Sequence, residues 1–286
     1  MKKIIIAILI LLALVVIVYT VTRKENTNSV RAVFLDIGQG DASYVAFENG
    51  EDMLVDCSKD RRVLSALGRH MRFFDRTIDY LVVTHPDRDH YGGCVDVLKR
   101  FYVKHILYNG GKKEYDEYWQ TFWQALQAEH AEYTEIAKEE TWQIGSSTLH
   151  FLYPDRPEKE ISGDVETNNK SIVFVLRFGN SSIVFTGDAE KELEEYLIQK
   201  YGNELEADIL KVGHHGSPSS SEEPFLRMVS PQYATISVGK ENTYGHPSLR
   251  VIRRLERVGA KVWRTDLDRD IFAVLNGSTV DIQVKK

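Results

Sequence analysis

Two histidines and two aspartates fall within six residues of the stretch Thr84-His85-Pro86-Asp87-Arg88-Asp89-His90-Tyr91-Gly92-Gly93. The apolar run Tyr80-Leu81-Val82-Val83 comes directly before it, so the pattern reads as a strand ending in a loop. Imidazole nitrogens and carboxylate oxygens bind borderline and hard divalent cations. A short loop at a strand end can aim several such groups into one volume. A polar turn would use Pro86 and Gly92-Gly93, but it has no need of two imidazoles. The string therefore reads as a candidate metal loop.

Other chemistry-bearing residues follow in order. Asp188 closes Phe185-Thr186-Gly187-Asp188 behind an apolar strand, where it could bind a metal or cap a helix. His214 and His215 lie in Leu210-Lys211-Val212-Gly213-His214-His215-Gly216-Ser217, again behind a strand. A metal site needs only one of these two histidines. His215 is the preferred ligand, with His214 facing substrate, and the choice between them stays open. His246 sits in Tyr244-Gly245-His246-Pro247, at a metal rim or at a substrate phosphate. Asn168, Asn169, Ser171 and Ser217 could donate hydrogen bonds to a substrate, or could simply close turns.

These stretches, with Phe34-Leu35-Asp36-Ile37-Gly38-Gln39-Gly40-Asp41-Ala42, resemble the metallo-β-lactamase superfamily. The branch resembled is the hydrolase-like C-terminal domain of the competence protein ComEC and its free-standing relatives. The likeness covers about residues 31–283. His85, Asp89 and His90 match the family's His-x-His-x-Asp-His signature, and Asp87 stands where its second histidine usually stands. The resemblance implies an αββα sandwich of two mixed sheets (an α/β, or α+β, class) and two divalent ions. By that likeness His85 and Asp87 hold one ion, Asp89, His90 and His215 hold the other, and Asp188 bridges them. Such a pair, about 3.5–4 Å apart, can lower the pKa of a hydroxide and stabilise an in-line displacement at phosphorus. Asp87 adds an oxygen ligand, so manganese rivals zinc. Asp89, Asp188 and His246 are the expected catalytic groups. His214, Ser217, Asn168, Asn169 and His246 are the expected substrate contacts. Asp36, Asp41 and Asp56 are expected to organise the loops around the metals.

The positioning elements are legible in outline. Strands are expected at Arg31–Ile37, Ser43–Phe47, Asp52–Asp56 and Tyr80–Thr84. Helical spacing marks Arg61–Arg72, Cys94–Phe101 and residues 114–130. In the last of these, Tyr118, Phe122, Ala125 and Leu126 read as a core stripe in preference to a stacking platform. Later strands and helices alternate to the end of the chain, with no internal repeat and no second linker. Cys57 and Cys94 read as small buried apolar residues in preference to metal ligands; export makes a disulfide chemically possible, and their pairing stays open.

Ile4–Thr22 holds 19 uncharged residues behind Lys2 and Lys3. A helix of that length, at about 1.5 Å per residue, nearly matches a hydrocarbon core of about 30 Å. No small-x-small cleavage site ends the run, which favours an uncleaved signal anchor over a cleaved signal peptide. The expected organisation is an anchor at 1–23, a linker at 24–30 and a catalytic domain at 31–286. That domain would lie outside the cytoplasmic membrane, or be secreted if the segment is cleaved. The net charge is −6, and it becomes −9 without residues 1–23, which carry Lys2, Lys3 and Arg23 and no acid. That balance counts against tight non-specific binding to nucleic acid.

The expected activity is an exported phosphodiesterase or DNase of the ComEC-like type, with DNA uptake as its setting. One alternative is a phosphodiesterase acting on envelope phosphocholine or teichoic-acid groups. Another is a non-catalytic, metal-stabilised binding module of a DNA-uptake apparatus. Asp87 argues against β-lactam hydrolysis.

Overall fold

In the computed structural model, residues 4–6, 8–13, 27–161 and 165–284 are described. Fifteen strands among them form two sheets. The first has eight strands in the order β15-β14-β1-β2-β3-β4-β5-β6: Val280–Val284, Ile271–Leu275, Val30–Phe34, Ser43–Ala46, Asp52–Val55, Thr77–Val83, Tyr102–Tyr108 and Glu132–Glu135. The second has seven in the order β13-β12-β11-β10-β9-β8-β7: Lys261–Arg264, Tyr233–Ile236, Ile209–Lys211, Ser181–Phe185, Val173–Phe178, Ser147–Tyr153 and Glu140–Ile144. Each sheet mixes parallel and antiparallel pairs.

Three apolar clusters show the layering. Phe34, Phe47, Phe151, Phe174 and Phe185 fill the space between the sheets. Tyr91, Tyr108, Trp119 and Phe122 pack the first sheet under its helices, and Leu193, Leu197, Phe225 and Leu255 do the same for the second. Each sheet is thus buried on both faces, which gives the four-layer αββα sandwich. This also explains why β4 is a nearly unbroken apolar run: it pairs in parallel with β3 and β5 and is covered on both sides.

Several local expectations are corrected. The strand at Tyr102–Tyr108 follows the helix Cys94–Arg100 after Phe101 alone, with no glycine or proline between them, so the sequence carried no punctuation there. It and β6 went unread. The helix expected to Arg72 stops at Leu67, because Arg69 and His70 turn to bind the Asp270 carboxylate at 2.8 Å each. Tyr118 is not a core residue: it is 56% exposed, and the Arg88 guanidinium lies 3.5 Å from its ring centroid. Trp119 takes the buried place beside Phe122. Cys57 and Cys94 are buried, as expected, but they are joined as a disulfide.

Most of the expected membrane segment, Ile4–Thr22, lies outside the described residues. Residues 4–6 and 8–13 are helical, and the large apolar side chains of residues 4–6 and 8–12 are exposed. Among the described residues no helix is long and apolar enough to cross a membrane.

Candidate metal centre

Parallel strands leave their carboxyl ends at one edge of a sheet, and loops from those ends converge on one crevice. Both sheets do this here. Asp56 follows β3, His85 follows β4, Asp188 follows β10, and His214 and His215 follow β11. Gly93 lets the helix Cys94–Arg100 approach closely from behind, since a Cβ there would meet the Cys57 carbonyl at 2.1 Å. His214 and His215 both adopt left-handed backbone, with φ 46° and 51°. Such strain in two consecutive non-glycine residues marks a position held by its surroundings. It turns both imidazoles out of the chain path.

The three inner histidines are oriented alike. His90 Nδ1 lies 2.8 Å from Asp56 Oδ2, and Asp56 also accepts the backbone N–H and hydroxyl of Thr84 at 2.8 Å each. His215 Nδ1 lies 2.9 Å from the Ser237 carbonyl, which can only accept, so this nitrogen carries the proton. His85 Nδ1 faces the hydroxyls of Thr84 and Ser171 at 3.1 and 3.3 Å. In each ring Nε2 is left to face the same interior volume. Asp188 meets them there: its Oδ2 is 3.2 Å from His90 Nε2 and 3.6 Å from His215 Nε2. Asp89 Oδ2 is 3.1 Å from His215 Nε2. Asp188 stands two residues before the helix cap at Glu190, so its carboxylate serves this cluster and not the helix.

The donor set fits a cation. His85, His90 and Asp188 each offer a ligand atom within 4.8 Å of the others, and so do Asp89, His90 and His215. His85 Nε2, His90 Nε2 and Asp188 Oδ1 are buried without any hydrogen-bond partner. Orphaned buried polar atoms are costly, and three that converge are the arrangement a divalent ion would satisfy. The electrostatics agree. Burial would lower the His90 pKa, yet Asp188 and Asp56 raise it well above its ordinary value. Burial likewise opposes His215, but Asp188 and Asp41 push it up to about 10. Burial would raise Asp188, but His90 and His215 hold it well below the carboxylate range. The carboxylates therefore create a field that attracts positive charge, and it acts on nitrogens aimed at one point.

Asp87 departs from the expected arrangement. Its Oδ2 is 3.6 Å from His85 Nε2, but its Oδ1 is taken by the Lys113 ammonium. Burial opposes ionisation of Asp87, and His85 and Lys113 together still hold its carboxyl below the ordinary range. It belongs to none of the converging donor sets. Lys113 was not anticipated from the sequence, and nothing in its Gly110-Gly111-Lys112-Lys113 context signalled it. Lys211 was also missed; its buried ammonium holds Asp41 Oδ2 at 2.7 Å, and Asp41 Oδ1 lies 3.6 Å from His215 Nδ1. Asp41 and Asp56 thus sit directly behind the histidines. Asp36 does not: its backbone N–H is held by Asp270 at 2.7 Å, in a cavity with Arg69 and His70.

The outer rim is more polar. His214 Nδ1 pairs with Glu190 Oε1 at 2.8 Å, and the His246 ring lies 5.6 Å from the His214 ring. Burial and the neighbouring His214 and His215 lower the His246 pKa. Asn168 reaches Glu190 and His214 at 3.3 Å each. Asn169 is turned away from the cluster: its amide binds Glu192 at 3.2 Å and the Glu190 backbone N–H at 2.8 Å, which fixes the start of the helix Lys191–Tyr201. Ser217 pairs with Ser219 at 2.8 Å and is buried. Ser171 is closer to the chemistry, since it accepts the Asp188 backbone N–H at 3.0 Å beside His85.

Known proteins share this chain's pattern. The family model described as Metallo-beta-lactamase superfamily matches residues 35–240. ComE operon protein 3 of Bacillus subtilis (strain 168) is 32% identical over 251 residues, covering 81% of this chain and 31% of that protein. Competence protein ComA of Neisseria gonorrhoeae is 36% identical over 192 residues, covering 67% of this chain and 24% of that protein. The chain therefore spans less than a third of the length of these relatives. The solved metallo-β-lactamase fold protein YhfI from Bacillus subtilis superposes with a TM-score of 0.56 at 13% identity, over 82% of this chain and 96% of that one, a likeness of fold alone. The two mixed sheets, the loops at their carboxyl ends and the family match over residues 35–240 agree: this chain belongs to the metallo-β-lactamase superfamily.

Proposed function

We propose that the chain is a metal-dependent phosphodiesterase that acts on DNA outside the cytoplasmic membrane, with the apolar Ile4–Thr22 segment as its anchor. The observation that carries this reading is the shared orientation of His85, His90 and His215: each has Nδ1 tied to the scaffold, Nε2 of His90 and His215 meets Asp188, and His85 joins the same donor cluster. The relative named Competence protein ComA supports DNA as the substrate class. The Cys57–Cys94 disulfide supports an oxidising compartment.

His85, His90, His215, Asp89 and Asp188 would hold two divalent ions, zinc or manganese, with Asp188 between them. Ions bound there supply a water of lowered pKa and charge neutralisation at a phosphoryl group. The chain's own groups do the rest. Asp56 and Ser237 fix the imidazoles, and Ser171 fixes Asp188. His214 and His246 face the substrate at the rim. Asp87 either joins the His85 ion or stays with Lys113, whose ammonium would then sit beside the reacting phosphate.

A second reading is an envelope phosphodiesterase that recognises a cationic group such as phosphocholine. It is favoured by a cavity of about 520 Å³ beside Asn169, lined by Tyr153, Tyr196, Glu166 and Glu192, since aromatic rings and carboxylates suit an alkylammonium. The deciding experiment is a metal-reconstituted assay against DNA, a generic phosphodiester, a phosphocholine ester and a β-lactam. Turnover of DNA and the generic diester is expected. Turnover of the β-lactam alone would overturn the proposal, and turnover of the phosphocholine ester alone would select the second reading.

A further inference from the structure

The edge of the first sheet opposite the metal centre carries a second set of features. Val30 begins β1 there, and register places Ala46, Asp52, Thr77 and Tyr102 along the same edge. The loop before β4 exposes Phe73 by 80% and Phe74 by 65%, with their rings 5.0 Å apart edge to face. Tyr102, 54% exposed, is the next strand's contribution, and its backbone N–H donates to the Arg76 carbonyl at 2.7 Å. Arg76 is exposed in the same loop, with its guanidinium donating to the Phe73 carbonyl at 2.9 Å, and Lys99 and Arg100 are exposed at the end of the helix that leads into Tyr102. Two adjacent phenylalanines at such exposure are unusual on a water-facing loop. Aromatic side chains ringed by basic ones are the composition of a surface that lies in a bilayer interface.

The position of the chain's entry point makes this specific. A cavity of about 330 Å³ brings Thr27, Ser29 and Arg31 together with His70, Arg72 and Asp75, so the aromatic loop borders the place where the N-terminal segment joins the fold. Five Cα steps lead from Thr22 to Thr27, and a chain of that length reaches at most about 18 Å. A bilayer holding Ile4–Thr22 therefore lies within reach of this edge.

We propose that Phe73 and Phe74 form a second membrane contact, with Arg76, Arg100 and Lys99 at the lipid phosphates, and that this contact sets the metal centre facing away from the bilayer. The inference rests on the anchored reading given above. β4 runs seven residues from this edge to His85, about 20 Å at the usual rise per residue. The centre then opens toward soluble or wall-borne polymer and not toward the headgroups of the supporting membrane.

The test uses the full chain in vesicles of equal phosphatidylglycerol and phosphatidylcholine. Cys57 and Cys94 are paired, so one added cysteine is uniquely labelled with an environment-sensitive dye. The three variants are Ile10→Cys in the anchor, Phe73→Cys in the loop and Lys240→Cys beside the rim, where the Gly239 backbone N–H meets Gln39. Dye at positions 10 and 73 should emit blue-shifted light and lose most of it to bilayer-borne quenchers, while dye at 240 should behave as in water. Dye in water at 73 with dye in lipid at 10 overturns the second contact and leaves the anchor standing. Dye in water at both overturns the anchored reading and this inference with it. Dye in lipid at 240 overturns the orientation.

Discussion

Each inner histidine is held at one nitrogen so that the other faces the shared interior volume, where Asp188 meets His90 and His215. Asp188→Ala should therefore lose both metal and turnover, because the Asp188 carboxylate is buried between His90 and His215, at 3.2 and 3.6 Å from their Nε2 atoms. His246→Ala should keep its metal and turn over more slowly, since its ring lies edge to face with His214 at the rim. Elemental analysis and activity on a generic diester, measured together with a melting curve, separate the two. Near-normal turnover in Asp188→Ala would exclude the dinuclear mechanism, and metal loss in His246→Ala would make that residue a ligand. Acidity gives a further expectation. The folded-state pKa of His215 is raised, to about 10 from 6.5, so the native state binds this proton more tightly than the unfolded chain does. The resulting stability is full below pH 6.5 and is lost as pH rises through about 10. The melting temperature of metal-free protein should fall across that window. Metal affinity should rise over the same window, because the ion competes with the proton for Nε2. A melting temperature that climbs instead would show that the carboxylate field does not act on this ring.

At the scale of elements, the metal loop is stapled from behind. The Cys57–Cys94 disulfide ties the end of β3 to the start of the helix that follows the loop, closing 37 residues that include β4 and all of His85–His90. On loop-closure entropy such a link stabilises the fold by about 4 kcal/mol. The paired change Cys57→Ala with Cys94→Ala should lower the denaturation midpoint accordingly and should weaken metal binding more than His246→Ala does. An unchanged midpoint would mean that the Gly93 contact and the apolar packing already hold the loop. Lys113→Ala tests the neighbouring segment. It frees the Asp87 carboxylate, so metal content should be retained or should increase, and a loss of metal would show that Lys113 supports the loop itself.

For the whole molecule, the two sheets each contribute candidate ligands from their carboxyl edges, and β1 begins at the opposite edge. Protease added to intact protoplasts should digest the catalytic region. Protection until lysis would reverse the proposed orientation. The acidic balance of the chain also has a consequence at this scale. A polyanionic substrate would be drawn by cations held at the site and by local groups such as Lys113, so DNA cleavage should depend on metal more steeply than cleavage of a small monoanionic diester does.

Much of the candidate site was legible from sequence because its ligands are local. His85, Asp89 and His90 fall within one loop, and Asp188, His214 and His215 stand directly behind apolar strands. Period and punctuation were enough to place these side chains at strand ends. The strands β5 and β6 were not legible, because no turn residue separates β5 from the preceding helix and β6 is short and largely polar. The sequence also could not decide between His214 and His215. Two left-handed backbone turns point His215 at Asp188 and His214 at Glu190, and those turns are imposed by the packing of both sheets. Pairings across long separations were equally out of reach: Lys113 with Asp87, Lys211 with Asp41, and Cys57 with Cys94. Local pattern sets which residues can do chemistry and on which strand ends they stand. Which partners they meet depends on distances between chain segments far apart in sequence, and only the folded sandwich establishes those.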